Sequence, residues 1–187
     1  MRICIDPGHG GKDPGAVDHG VRESDLNLAQ ALELRPILQR AGHEVVMTRE
    51  TDVALGPTPA ADLARRSTIA NDAKADICLS IHHNASGTND PAHTAQGIET
   101  YAWPGGKGEM LAREVHRYLL AFTGAADRRV RPNKTFWMLR KPIAPAVLLE
   151  LGFVTNAGEV VLLQEPTRRA RLACGIAAGV MAQSDGR

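Results

Sequence analysis

Five side chains of this sequence are of types that do chemistry and sit beside turns or element ends: His9 in DPGHGG, Glu23 in GVRESDLNL, His82 and His83 in SIHHNAS, and Glu150 in LLELGF. Two neutral imidazoles and one carboxylate form the donor set of an open zinc site, which leaves a fourth position for water. A second carboxylate, one that does not bind the metal, takes a proton from that water and passes it to a leaving group. His9, Glu23 and His82 suit the first role and Glu150 the second. Plainer readings exist for some of them. A histidine beside glycines also serves as a hydrogen-bonded loop residue, and Glu23 ahead of a helix stabilises its positive end. Glu150 is different, because a carboxylate following Val147-Leu148-Leu149 is costly to bury without a partner or a task.

An open α/β sheet would bring these residues together, since its ligands gather at the carboxyl ends of the strands. Apolar Ile3–Ile5, closed by Asp6-Pro7-Gly8, reads as a strand. Leu26–Ala41 has helical periodicity, with Ser24 or Asp25 as cap, Gly42 as stop and a kink at Pro36, so Glu23 falls one turn before the helix. Strand His43–Thr48, a helix from Pro59 to about Ala73 and strand Asp76–Ile81 follow, then a polar loop over 86–95. Gly97–Trp103 is strand-like and Gly108–Phe122 helical, whereas Gly124–Lys134 reads as a loop carrying the basic cluster Arg128, Arg129 and Arg131. Phe136–Leu139 and Ala146–Glu150 read as strands and Thr167–Met181 as a closing helix. Strands alternating with helices predict a parallel or mostly parallel sheet covered on both faces, in one domain over 1–183 with a short polar tail at 184–187.

Composition narrows the function classes. At 187 residues, 43% hydrophobic and 23% charged, the chain has the make-up of one ordered domain. Its 22 basic and 21 acidic residues leave a net charge of +1, which offers no bulk attraction to nucleic acid or an anionic membrane. The longest charge-free stretch, Leu172–Ser184, falls well short of the ~18 apolar residues of a membrane span. Three cysteines, Cys4, Cys78 and Cys174, are too few for a disulfide framework. The start MRICIDPGHGG has no apolar run or cleavage site, so no secretory signal is expected. A phosphate loop is excluded as well: Asp13 stands where a dinucleotide fingerprint needs its third glycine and directly follows Gly11-Lys12.

The segments IDPGHGGKDPGAV, ESDLNL, GHEVVMTRETD, RSTIAN, ADICLSIHHNAS, GIETY and PAVLLELGFVTN together resemble, in order, the motifs of the zinc-dependent N-acetylmuramoyl-L-alanine amidases, a family of cell-wall hydrolases that includes phage endolysins. The resemblance covers the chain from Arg2 to about Gly179. It implies a three-layer αβα sandwich around a twisted, mostly parallel six-stranded sheet, like that of zinc carboxypeptidases. It implies one zinc ion per chain on His9, Glu23 and His82, with Glu150 as the catalytic carboxylate. His83 occupies the motif's variable position, and strand alternation sends it away from His82. Asn84 matches a family asparagine that orients the histidine loop or contacts substrate, or forms the turn. Arg140 matches an arginine expected to bind a peptide carboxylate or an oxyanion, or to form a surface salt bridge. Gly97 and Glu99 are expected as scaffold.

The implied activity is hydrolysis of the amide between N-acetylmuramic acid and L-alanine in peptidoglycan, with peptidoglycan as the partner and no preference of oligomeric state legible. A zinc peptidase acting within the stem peptide and a wall-binding module without catalysis are the rival readings. Action on the bacterial wall without a signal fits an endolysin released through a membrane lesion, or an exported enzyme separated from its export segment.

Overall fold

The structure, a computed structural model, describes residues 1–87, 90 and 93–185. Strand β1 (Arg2–Pro7) leads through a turn to the short hairpin of β2 (Val17–Asp18) and β3 (Val21–Arg22), and α1 then runs from Glu23 to Arg40. The helix begins three residues earlier than its apolar periodicity suggests, so Glu23 is its first residue. Neither Ser24 nor Asp25 caps it. Instead the Glu23 and Ser24 N–H groups donate to the carbonyls of Ala16 (2.8 Å) and Pro14 (3.0 Å), so the preceding loop satisfies the helix start. The helix continues through Pro36.

Strand β4 (Glu44–Met47) precedes α2 (Pro59–Asp72), which has Pro59 at its first position and the Thr58 hydroxyl accepting from the Ala61 N–H. Strand β5 (Ile77–Asn84) extends three residues past its expected end and takes both histidines into the sheet. Strand β6 (Ile98–Ala102) and α3 (Lys107–Thr123) lie close to expectation. Three segments correct the reading from sequence. Part of the expected loop is a strand, β7 (Asp127–Pro132), whose charged residues suit a sheet edge and mask its pattern. Phe136–Leu139 is not a strand, because Asn133 Oδ1 accepts from the Thr135 and Phe136 N–H groups and starts a turn that becomes α4 (Trp137–Arg140). Beyond β8 (Ala146–Phe153) lies an unexpected helix, α5 (Ala157–Gln164), capped by Asn156. Helix α6 (Pro166–Asp185) takes up residues 184 and 185 of the expected tail; 186 and 187 lie outside the described residues, as do 88, 89, 91 and 92 of the 86–95 loop.

The sheet order is β4-β1-β5-β8-β6-β7, and every neighbouring pair is parallel except β6 with β8. This is the mostly parallel six-stranded sandwich that the resemblance implied. Alternation sorts the side chains into two layers. Ile3, Ile5, Leu79, Ile81, Val147, Leu149 and Leu151 join the main core with α1, α3 and α6. Cys4, Cys78, Ala146 and Leu148 face the other way, into a smaller cluster with Ala70 of α2 and Met138 of α4. That second face carries the polar residues Asp6, Ser80, His82 and Glu150 toward the carboxyl ends of β1, β5 and β8.

Helices α3 and α6 approach closely because α6 presents glycines: a Cβ on Gly179 would overlap the backbone of Val115, and one on Gly175 would lie 3.1 Å from the Leu119 Cα. Overpacking of this kind costs about 1–3 kcal/mol, and a domain of this size loses about 2–4 °C of Tm per kcal/mol. Gly179→Ala is therefore expected to lower the calorimetric Tm by several degrees; an unchanged Tm would show that the helices slide apart at no cost.

Candidate active site

The turn after β1 sets the site. Pro7, Gly8 and His9 point three backbone carbonyls inward, and two buried arginines collect them. Arg49 donates from Nε to the Pro7 carbonyl (3.0 Å) and from Nη2 to the carbonyls of Gly8 (2.9 Å) and Ser24 (2.8 Å). Arg66 of α2 donates to the carbonyls of Pro7 and His9 (2.6 Å each) and pairs with Asp6 at 3.0 Å. Asp6 is buried, which alone would raise its carboxyl; Arg66, the Thr48 and Ser80 hydroxyls and His82 outweigh burial and hold it below the ordinary range. Arg49 makes no ion pair among the described residues, and burial with Arg66 nearby lowers its pKa. Its charge is spread over carbonyl dipoles, and through them it ties the His9 turn to the first turn of α1. His9 itself has φ 61°, a left-handed conformation uncommon outside glycine.

Three donors meet there. Glu23 Oε2 lies 3.2 Å from His9 Nε2, and Glu23 Oε1 lies 3.0 Å from His82 Nδ1. The set of ligand atoms from His9, Glu23 and His82 spans no more than 4.8 Å. The His82 ring occupies the place where any Cβ on Gly8 would fall, so glycine is required at that position. Two of the donors are braced from behind. His9 Nδ1 faces Asp13 at 2.8 Å, the carboxylate–histidine arrangement that orients metal-binding imidazoles. Asn27 Nδ2 reaches Glu23 Oε1 and the Gly8 carbonyl, both at 3.2 Å. Burial works against a charged His9, but Glu23 and Asp13 overcome it and raise His9 to about 9. Burial likewise opposes an ionised Glu23, and the two histidines overcome it and hold the carboxyl well below its usual range. A cluster that favours positive charge this strongly suits a divalent cation, and its N, N, O donors suit zinc.

Glu150 lies in register with His82 on one side and Glu99 on the other, so the three share one row and one face of the sheet. Burial pushes the Glu150 carboxyl up to about 7; His82 and His9 pull against this, and Glu23 and Glu99 add to it. Its Oε2 is buried and has no hydrogen-bond partner among the described residues. A cleft of about 700 Å³ opens beside His9 and His82 and is also lined by Lys12, Val53, Leu63 and Met138.

His83 is directed to the opposite face. It is buried, and its Nδ1 donates to Asn27 Oδ1 at 2.8 Å. Burial lowers it to about 4 and keeps it neutral; its ring reaches Glu23 only through Asn27, while its backbone N–H donates to Glu23 Oε1 at 3.3 Å. Asn84 donates to Glu99 Oε2 (3.1 Å) and accepts from the Ala85 N–H (2.8 Å), tying the end of β5 to β6. Arg140 stands apart from this cluster. It ends α4, lies 5.6 Å over the Trp137 ring and borders a separate groove with Trp103, Lys107, Ile143 and Ala146, at the amino end of β8. Glu150 stands four residues along that strand, about 13 Å away at ~3.3 Å per residue. The resemblance gave Arg140 a carboxylate- or oxyanion-binding role or a surface salt bridge; the structure sets it in the groove at the amino end of β8. Residue types did not single out Asp13, Asn27, Arg49 or Arg66; Arg49 and Arg66 stood within the quoted GHEVVMTRETD and RSTIAN segments, the available signal.

A sheet of this order with two histidines and a carboxylate at one edge, beside a buried unpartnered glutamate, has the layout of a metal-dependent hydrolase. Residues 3–182 match the N-acetylmuramoyl-L-alanine amidase family, and the chain belongs to it. It is 31% identical to the germination-specific N-acetylmuramoyl-L-alanine amidase of Bacillus subtilis, over 96% of this chain and 78% of that protein. It is 32% identical to the endolysin of Bacillus phage SPP1, over 95% of this chain and 64% of that one. The catalytic domain of CwlV, an N-acetylmuramoyl-L-alanine amidase from Bacillus (Paenibacillus) polymyxa, superposes with a TM-score of 0.88 at 36% identity, covering 100% of this chain and 99% of that domain.

Two outcomes test the assembly of the cluster. His82→Ala is expected to abolish stoichiometric zinc binding, whereas His83→Ala retains it; metal lost from the second variant and kept by the first would reverse the assignment. Arg49→Lys keeps the charge but loses the fork that joins the two donor segments. Its zinc affinity, measured by competition with a chelating dye, should fall about 10–100-fold, as for other partners that orient metal ligands. An unchanged affinity would mean that the turn holds its shape without Arg49.

Proposed function

We propose that the chain is a zinc-dependent N-acetylmuramoyl-L-alanine amidase that hydrolyses the amide joining N-acetylmuramic acid to the L-alanine of the peptidoglycan stem. The observation that carries this reading is the meeting of His9, Glu23 and His82 beside Glu150, whose buried Oε2 has no partner among the described residues. His9, Glu23 and His82 would hold one zinc ion, with Asp13 and Asn27 fixing their orientation. When bound, zinc polarises the scissile carbonyl and lowers the pKa of a water.

Glu150 takes the proton of the attacking water and delivers it to the departing L-alanine nitrogen. Burial suits it to both halves of that task, since a carboxyl that titrates near 7 accepts and releases a proton with little cost at neutral pH. The products are a muramoyl carboxylate and a peptide with a free amino end. We assign catalysis to one domain over residues 1–183. Its place of action is the bacterial cell wall, and likeness to a phage endolysin supports release through a membrane lesion as one route there.

Glu150→Gln preserves shape and removes the base. The variant should fold, bind one zinc ion and hydrolyse purified peptidoglycan at least about 100-fold more slowly, within the range general acid–base groups contribute. In the wild type, labelling of new amino ends should find L-alanine alone. A zinc-loaded Glu150→Gln enzyme near the wild-type rate would remove Glu150 from the reaction, and new ends at any other residue would make the enzyme a peptidase.

A further inference from the structure

The row that contains His82 and Glu150 does not stop at Glu99. Strand β7 lies beyond β6, and their pairing is irregular at the point level with the site. Ile98 pairs with Asp127 and Thr100 with Val130, so the single residue Glu99 faces two, Arg128 and Arg129. Such a bulge is rare in a parallel pair, and bulges near active sites re-aim side chains. This one is held at a cost: Arg129 adopts φ 78°, a left-handed conformation that ordinarily calls for glycine.

The bulge turns Arg128 back toward the row. Its Nε bonds Glu99 Oε1 at 2.8 Å, and its guanidinium lies 4.8 Å over the Phe153 ring. Arg131 adds a second contact to the same oxygen, with Nη2 at 3.4 Å. The other Glu99 oxygen accepts from Tyr101 Oη (2.6 Å) and Asn84 Nδ2 (3.1 Å). Glu99 is therefore fully used, and two arginines share one negative charge. The side chain of Arg128 is one-third exposed, and its two terminal nitrogens make no bond among the described residues. Clamped through Nε and stacked on an aromatic face, the guanidinium offers the planar, two-pronged edge that pairs with a carboxylate.

Building on the amidase reading, we propose that Arg128, set by Glu99 and supported by Arg131, binds a carboxylate carried by the peptide on the leaving side of the scissile amide. Arg128 lies two strands from Glu150, about 10 Å at ~4.8 Å per strand spacing, and an extended peptide covers that distance in about three residues at ~3.3 Å each. The carboxylate thus belongs to the second or third residue of the peptide. Arg140, at the far end of β8, is not placed for this role.

The test uses synthetic N-acetylmuramoyl tripeptides that begin with L-alanine and carry either a free carboxylate or a carboxamide on the second or third residue. The wild-type enzyme should favour the carboxylate form by about tenfold or more in kcat/KM, mainly through KM, as a charge-assisted hydrogen-bond pair implies. In Arg128→Gln that ratio should fall close to one. The ratio is taken within one protein, so a loss of folded enzyme cancels. If Arg128→Gln does not fold, Arg128→Lys, which keeps the charge and loses the fork, should show an intermediate ratio. A wild-type ratio near one, or a wild-type ratio retained in either variant, overturns the proposal and leaves the amidase reading intact. A wild type that cleaves none of these substrates also overturns the proposal, and release of L-alanine amino ends from purified peptidoglycan by the same preparation then shows that the amidase reading stands.

Discussion

Two buried guanidiniums hold the catalytic end of this protein together. The turn after β1 directs the Pro7, Gly8 and His9 carbonyls into the interior, where their dipoles need donors. Arg49 and Arg66 supply them, and Arg66 also neutralises Asp6. Because Arg49 reaches the Ser24 carbonyl as well, the same interaction sets the distance between the His9 turn and the start of α1. Lysine could not replace either residue without losing bonds, since an ammonium lacks the planar fork. The strained backbone of His9 persists because the arginines and Asp13 over-determine it.

Sheet register supplies the remaining geometry. Strands β5, β8, β6 and β7 are aligned so that His82, Glu150, Glu99 and Arg128 follow one another across one face. Neighbouring carboxylates on that row live in different surroundings. Glu99 is bonded by two arginines, a tyrosine and an asparagine, and these outweigh its burial to keep it ionised. Glu150 has burial without compensating donors, and its carboxyl rises. One strand spacing separates a carboxylate held below its ordinary range from one that burial raises.

The candidate site was more legible in the sequence than the elements around it, and the reasons are physical. His9, His82 and Glu150 each end or follow an apolar run, so they stand out as polar groups at strand ends. The direction of His83 follows from alternation alone. Glu23 was legible as a candidate by type, but its place as first residue of α1 was hidden, because the helix is capped by the Ala16 and Pro14 carbonyls and not by a local side chain. Arg49 and Arg66 bond to carbonyls more than forty residues away in several cases, and no residue pattern records a carbonyl acceptor. Strand β7 was missed because charged edge strands lack apolar alternation, and with it went the significance of Arg128. Arg140 was named through the resemblance, and a matching motif does not record that its side chain borders the groove at the amino end of β8.

The central claim is that the fold assembles His9, Glu23 and His82 around one metal ion beside a glutamate that does not bind it. Anomalous diffraction from crystals of the zinc-loaded protein, recorded on both sides of the zinc absorption edge, tests this most directly. The account predicts one peak per chain, about 2.0–2.2 Å from donor atoms of His9, Glu23 and His82, with His83 and Glu150 outside coordination distance. A peak at any other set of residues, or an active crystal-grade preparation with no zinc peak, would contradict it.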